Sequence, residues 1–187
     1  MEDWVFLFVD ANNAFHKINQ VRNIWTVQHV WYSRACFLFN RYFHWSKFFM
    51  CNVNRTASFM HSREGVMQGG PLAMIAYGIS ILPLIDNLKR GIPDTTQSRY
   101  TDNRKALGMF VIIETYFNSL ILQGLGRGYY NKPFKSLLIV HPENLEAIKV
   151  PDARHGLKVC TGARYLRGYI GANESERDWL RELTLTW

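Results

Sequence analysis

The order of hydrophobic periods along this 187-residue chain predicts an α+β fold. Short apolar runs rich in aromatic and β-branched residues, as in buried strands, alternate with longer segments whose apolar residues recur every three or four positions, as in amphipathic helices. Gly, Pro, Asn and Asp sit between them as turn formers. No internal repeat, Ser/Gly-rich linker or low-complexity tract interrupts the chain. It therefore reads as a single domain over residues 1–187, with a core over about 4–172 and a short helical tail over 173–187.

Trp4–Val9 is continuously apolar and six residues long, which fits a central strand covered on both faces, and it stops at Asp10. Over residues 14–49, positions such as Phe15, Ile18, Val21, Trp25 and Tyr42 keep mostly helical spacing. Residues 51–60 fit an extended hairpin. Met67-Gln68-Gly69-Gly70-Pro71 is a turn that places Pro at a helix's first position; the helix continues over 72–88, with Pro83 inside it, until Pro93-Asp94 break it. Residues 99–107 fit a hairpin with polar residues 101–104 at its tip. Residues 109–125 form an amphipathic helix stopped by Gly126-Arg127-Gly128. Leu137–Val140 is another short buried strand, residues 159–170 a strand pair, and residues 174–183 a charged helix.

Composition narrows the function classes. With 48% hydrophobic and 20% charged residues, the chain can bury a core and is not disordered. Its net charge of +7 favours polyanionic partners, a well-solvated surface being the plainer account of the same excess. Cys36, Cys51 and Cys160 form neither a disulfide framework nor a Cys-x-x-Cys knuckle, which fits a reducing intracellular setting, cytoplasm or nucleus. Glu2 and Asp3 argue against a signal peptide. Residues 65–85 carry no charge, yet Gln68, four glycines and two prolines make them a loop and buried helix, so no membrane association is expected. The six histidines lack ligand spacing for zinc. Residues 124–128 lack the Lys-Ser/Thr ending of a phosphate loop and suit a helix end.

Asp10 and Asp102 each close or cap a short strand. Carboxylates converging from separate strands are what a pair of hard divalent cations needs. The competing accounts are a helix N-cap for Asp10 and ordinary turn chemistry for Asp102.

The motifs around these residues resemble reverse transcriptases. Phe8-Val9-Asp10-Ala11-Asn12-Asn13-Ala14-Phe15 is similar to the family's first catalytic motif, and Gln68-Gly69-Gly70-Pro71-Leu72 to its Gln-Gly-x-Pro-Leu turn. Tyr100-Thr101-Asp102-Asn103 is similar to the Tyr-x-Asp-Asp hairpin. The segment from Gly128-Tyr129-Tyr130 through Lys135 to Val140 resembles the helix and strand that follow, and Tyr165-Leu166-Arg167-Gly168-Tyr169-Ile170-Gly171 the primer-grip hairpin. All five occur in the family's order between Asp10 and Gly171, closest in flavour to eukaryotic retrotransposon-type elements.

The resemblance implies a polymerase palm, an antiparallel sheet packed on helices. It implies RNA-directed DNA polymerisation with an RNA template, a DNA primer and deoxynucleoside triphosphates as partners. Asp10, Asp102 and Asn103 would be catalytic, with Asp10 and Asp102 holding Mg²⁺ or Mn²⁺. Ala11, Phe15, Gln68, Gly69 and Lys135 would meet the nucleotide, Phe15 by blocking a ribose 2′-hydroxyl and Lys135 by offsetting pyrophosphate charge. Tyr100, Gly70, Tyr165, Leu166 and Gly168 would meet primer and template.

Two departures qualify this expectation. Asn103 stands where the family carries a second carboxylate, and Arg104 and Lys105 follow it, so metal binding and activity are expected to be impaired. Nine residues precede Asp10 and 16 follow Gly171, so fingers and thumb are expected to be largely missing, as in a truncated element, leaving apolar palm surface open to self-association. The alternative is a non-catalytic basic nucleic-acid-binding remnant.

Overall fold

The computed structural model describes residues 4–30, 49–53, 56–60, 64–66, 69–100, 103–152, 156–165 and 168–185. The strands are β1 (Trp4–Val9), β2 (Phe49–Val53), β3 (Thr56–Met60), β4 (Thr96–Tyr100), β5 (Asn103–Met109), β6 (Leu137–Val140), β7 (Lys158–Cys160), β8 (Gly162–Tyr165) and β9 (Gly168–Gly171). The α-helices are α1 (Gln20–Val30), α2 (Ala73–Gly91), α3 (Phe110–Leu125), α4 (Leu145–Asp152) and α5 (Asn173–Leu185). They form two compact units. The first draws on the described residues of Met1–Ala11, Leu88–Ile121 and Asn131–Trp187, the second on those of Asn12–Asn87 and Leu122–Tyr130.

The first unit is built on a five-stranded sheet of order β4-β5-β1-β6-β7. β1 occupies the centre, as its uninterrupted apolar run requires, and pairs antiparallel with β5 and β6. Leu7 lies opposite Ala106 and Leu138, so these three share one face, against which α3 sets Ile113 and Phe117. Ile113, Tyr116, Phe117 and Leu120 are all buried, and removing each such side chain from water contributes about 1.5–3 kcal/mol. On the other face Phe8 meets the ring of Tyr165 from the β8–β9 hairpin, with 4.8 Å between centroids. α5 attaches to the same hairpin through Trp179, which stacks on Tyr169 at 5.6 Å.

Four strands of the sheet are antiparallel, as expected of a palm; β7 is not. It adds parallel to β6, because α4 carries the chain back across the sheet before β7 begins. Sequence periodicity does not announce α4, an eight-residue helix that includes Pro151. The β4–β5 hairpin differs from expectation in its tip. Tyr100 pairs with Asn103 and Arg99 with Arg104, so Asn103 and Arg104 are strand residues, and the connection is residues 101–102, outside those described.

In the second unit, α1 begins at Gln20 rather than near residue 14. Turns occupy residues 12–17, and Asn19 caps the helix, its Oδ1 accepting the Arg22 N–H at 3.0 Å. The remainder of the helical segment expected up to residue 49 falls on residues 31–48, outside those described. Buried Asn23 ties α1 to α2 by donating its amide to the Ala76 carbonyl at 2.6 Å and to the Ser80 hydroxyl. β2 and β3 make the expected hairpin. α2 starts at Ala73, after the turn at Pro71, and continues through Pro83 to Gly91.

Gly128 ends α3 at φ +77°, where a Cβ would collide with the Lys17 carbonyl oxygen. A side chain there faces both a left-handed backbone and a backbone clash. Gly128→Ala is therefore expected to destabilise the protein by at least about 1–3 kcal/mol, seen as a melting temperature lowered by roughly 2–4 °C per kcal/mol.

Candidate functional site

Asp10 is the first residue beyond β1, and its backbone is held on both sides. Its N–H donates to the Ser136 hydroxyl at 3.2 Å, and its carbonyl accepts the Lys132 N–H at 2.8 Å. The Ser136 hydroxyl in turn donates to the Lys132 carbonyl at 2.8 Å. Ser136 is fully buried, so this clamp is shielded from competing water. Ala11 extends it through a bridge to Asn131. With the first helix starting at Gln20 under an Asn19 cap, Asp10 is no N-cap, and its carboxylate is left for the surface it borders.

That surface is a cleft of about 440 Å³ at the end of β1. Strand register explains its composition. Val9 lies opposite Arg104, which brings Asp10 level with Asn103, the first residue of β5. Alternation then places Asp10, Asn103 and Lys105 on the same face as Phe8, and Arg104 on the opposite face with Val9 and Ala106. Lys158 of β7 lies opposite Leu137, itself opposite Phe8, and so joins this face from the sheet edge. Lys135 enters from the 3₁₀ turn Pro133–Lys135, and Arg164 and Tyr165 from β8. Lys105 holds its ammonium 3.8 Å from the centroid of the Tyr165 ring, a cation–π contact.

Asp10 is the one acidic residue among the described lining, against Arg104, Lys135, Lys158 and Arg164. Hard cations need oxygen donors, and Mg²⁺ is commonly held by one or two carboxylates together with substrate phosphates. The Asp10 carboxylate and the Asn103 amide are the oxygen-bearing side chains the strand ends bring to this cleft, and among the described residues no cluster of three acidic, His or Cys side chains offers a fuller cage. Burial pushes the Cys160 thiol above its ordinary range, with the Gly162 backbone and Lys158 only partly opposing this.

Of the residues singled out from sequence, the cleft collects Asp10, Asn103, Lys135 and Tyr165. Tyr100 ends β4, paired with Asn103, Gly168 opens β9 opposite Tyr165, and Ala11 is buried beside the clamp. Phe15, Gly69 and Gly70 belong to the second unit, where Phe15 packs its ring 4.8 Å from Tyr77 and the Gly70 carbonyl accepts the Ala73 N–H. Gly69 stands at φ +87° with open space around it. Asp102, Gln68 and Leu166 lie outside the described residues. Sequence reasoning missed Ser136, Lys158 and Arg164. Ser136 directly follows Lys135, but nothing marks a serine before a strand as a clamp; the two cations become neighbours only through sheet register.

No protein-family model matches the chain, and no curated protein does. Solved structures do. Telomerase from Candida tropicalis in complex with a fragment of telomeric RNA is similar over 76% of this chain and 26% of its own, with a TM-score of 0.61 and 11% identity. Apo telomerase from Candida tropicalis lacking its C-terminal domain is similar over 91% and 34%, with a TM-score of 0.51 and 11% identity. Telomerase from Candida albicans with a telomeric RNA fragment is similar over 92% and 31%, with a TM-score of 0.53 and 11% identity. The chain has a reverse-transcriptase-like palm fold. It spans about a quarter to a third of the length of these telomerases, and at such identity the likeness concerns the fold alone. No helix among the described residues is long and apolar enough to cross a membrane.

Two stability predictions follow from the clamp and the cleft wall. Ser136→Ala removes the acceptor for the Asp10 N–H, and is expected to cost about 1–2 kcal/mol in a denaturant melt and to speed hydrogen exchange at the Asp10 amide. The Tyr165 hydroxyl is shielded from solvent and meets no hydrogen-bond partner among the described residues. Tyr165→Phe is expected to keep the ring contacts and raise stability by about 1 kcal/mol in the same melt.

Proposed function

We propose that this chain is a reverse-transcriptase palm, an RNA-directed DNA polymerase by descent, with its polymerase site in the cleft beyond β1. The observation that carries this reading is the pairing of strand ends: Asp10 and Asn103 stand level on adjacent central strands, as the first and third motifs of the resembled family demand. The palm fold shared with telomerases, two of them bound to telomeric RNA, supports RNA as the template. The run of five ordered motifs supports a retrotransposon-type origin.

In this reading Asp10 and Asp102 hold Mg²⁺ or Mn²⁺, which when bound neutralises phosphate charge and lowers the pKa of a primer 3′-hydroxyl. Ser136 and Lys132 fix the backbone of Asp10, so its carboxylate requires little reorganisation when substrate arrives. Lys135, exposed on its turn, takes up negative charge on the departing pyrophosphate. The resemblance assigns Ala11 to the nucleotide, Gln68 and Gly69 to positioning the templating pair, and Phe15 to excluding a ribose 2′-hydroxyl. Tyr100, Gly70, Tyr165, Leu166 and Gly168 hold primer and template. Asn103 offers an oxygen without charge. A unit charge about 4 Å from a cation is worth about 4 kcal/mol at an effective dielectric near 20, so this one exchange weakens metal holding by orders of magnitude.

A second reading, a basic nucleic-acid-binding palm without catalysis, is favoured by the cleft's three exposed cations, Lys135, Lys158 and Arg164, against one carboxylate. Primer extension on a primed homopolymeric RNA, with Mg²⁺ and with Mn²⁺, separates the two. The polymerase reading expects weak incorporation that Asn103→Asp raises at least tenfold and Asp10→Ala abolishes. Silence in all three proteins, with RNA binding retained, would leave the non-catalytic reading.

A further inference from the structure

Lys135, Lys158 and Arg164 are exposed, line one cleft from three separate elements, and have no carboxylate partner among the described residues. Exposed cations are commonly matched by nearby acids; here the nearest acidic lining residue is Asp10, already outnumbered. Backbone bonding ties two of these elements together. Lys158 sits opposite Leu137, two residues after Lys135, and its N–H donates to the Ser136 carbonyl at 3.2 Å, so the turn bearing Lys135 and the strand bearing Lys158 are bonded together. Beside them Phe134 leaves 72% of its surface in solvent, a costly place for a benzyl ring unless something flat covers it.

We infer that this cationic rim binds the phosphates of a single-stranded nucleic acid without any divalent cation, with Phe134 as a stacking surface for a base. Three cations with an aromatic beside them suit consecutive phosphates of a strand better than one anion, because stacking platforms beside a basic groove are how strands are held without sequence preference. The excess of positive charge supplies the neutralisation that a metal ion would otherwise provide. This inference deepens the nucleic-acid reading of the same cleft and rests on it.

The test is fluorescence anisotropy of a labelled oligouridylate of about 12 nucleotides, within the usual site size of about 4–16, titrated with the full chain in EDTA. Three phosphate contacts predict an affinity loss of about 18-fold between 50 and 200 mM salt, and Lys158→Gln/Arg164→Gln should reduce this to about threefold. A control, Lys89→Gln/Arg177→Gln, removes the same charge away from the cleft and should leave binding unchanged; circular dichroism verifies that each variant is folded. Asp10→Asn should tighten binding about two- to fivefold by deleting the opposing charge, whereas a metal-centred site would weaken in Mg²⁺. Phe134→Ala should weaken binding about fivefold or more.

Binding in EDTA that is indifferent to Lys158→Gln/Arg164→Gln overturns the inference while the nucleic-acid reading stands. Binding that requires Mg²⁺ and is lost in Asp10→Asn overturns it in favour of the metal-centred site. Displacement by a nucleoside triphosphate as effectively as by the oligonucleotide overturns the strand assignment. No binding under any condition overturns both.

Discussion

Everything in the first unit hangs on β1 satisfying four neighbours at once. Its two edges are taken by β5 and β6 and its two faces by α3 and the β8–β9 hairpin. A strand so enclosed cannot slip by one residue, since that would exchange Leu7 for Phe8 between two differently shaped partners. Fixing β1 fixes where it ends, and its end is Asp10. The Ser136 clamp then transfers that precision to a residue outside the sheet. The position of the carboxylate is thus a product of hydrophobic packing several residues away, and polar contacts only complete it.

The same register sorts charge by face. Arg104, next to Asn103 in sequence, is turned to the face of Val9 and Ala106, while Lys105 is drawn over the Tyr165 ring on the other. Two adjacent basic residues that sequence alone would count equally against a metal site therefore act in different surroundings. Lys158 and Arg164, remote in sequence, do reach the cleft. Its electrostatics belong to the sheet edge and the hairpin more than to the strand ends that carry the motifs.

Legibility from sequence followed the strength of local signals. Trp4–Val9 and Leu137–Val140 were readable to the residue because a short apolar run admits few alternatives. The Gly-Arg-Gly stop after α3 and the hairpin around Tyr165 were likewise local. Asp10 and Asn103 were identifiable from motif order, and the structure brings them level. α4 escaped because eight residues with a proline generate little periodicity, and α1 started late because Asn19 captured its first turn. The parallel β7, and with it Lys158, depends on a crossover that no local pattern encodes. The buried serine that clamps Asp10 is equally silent, since its role exists only once residues 126 positions apart have met.

The central placement of β1 also has a cost in time. Its partners β5 and β6 lie about a hundred residues or more further along the chain. At a synthesis rate of roughly 5–20 residues per second, Trp4–Val9 must wait on the order of 5–20 s before either edge can be covered. During that interval it is a six-residue segment without charge, proline or glycine, the composition that self-associates most readily. A nascent chain of this design depends on being shielded until β5 emerges, and crowding of ribosomes on one message would bring such unpaired strands together before folding could hide them.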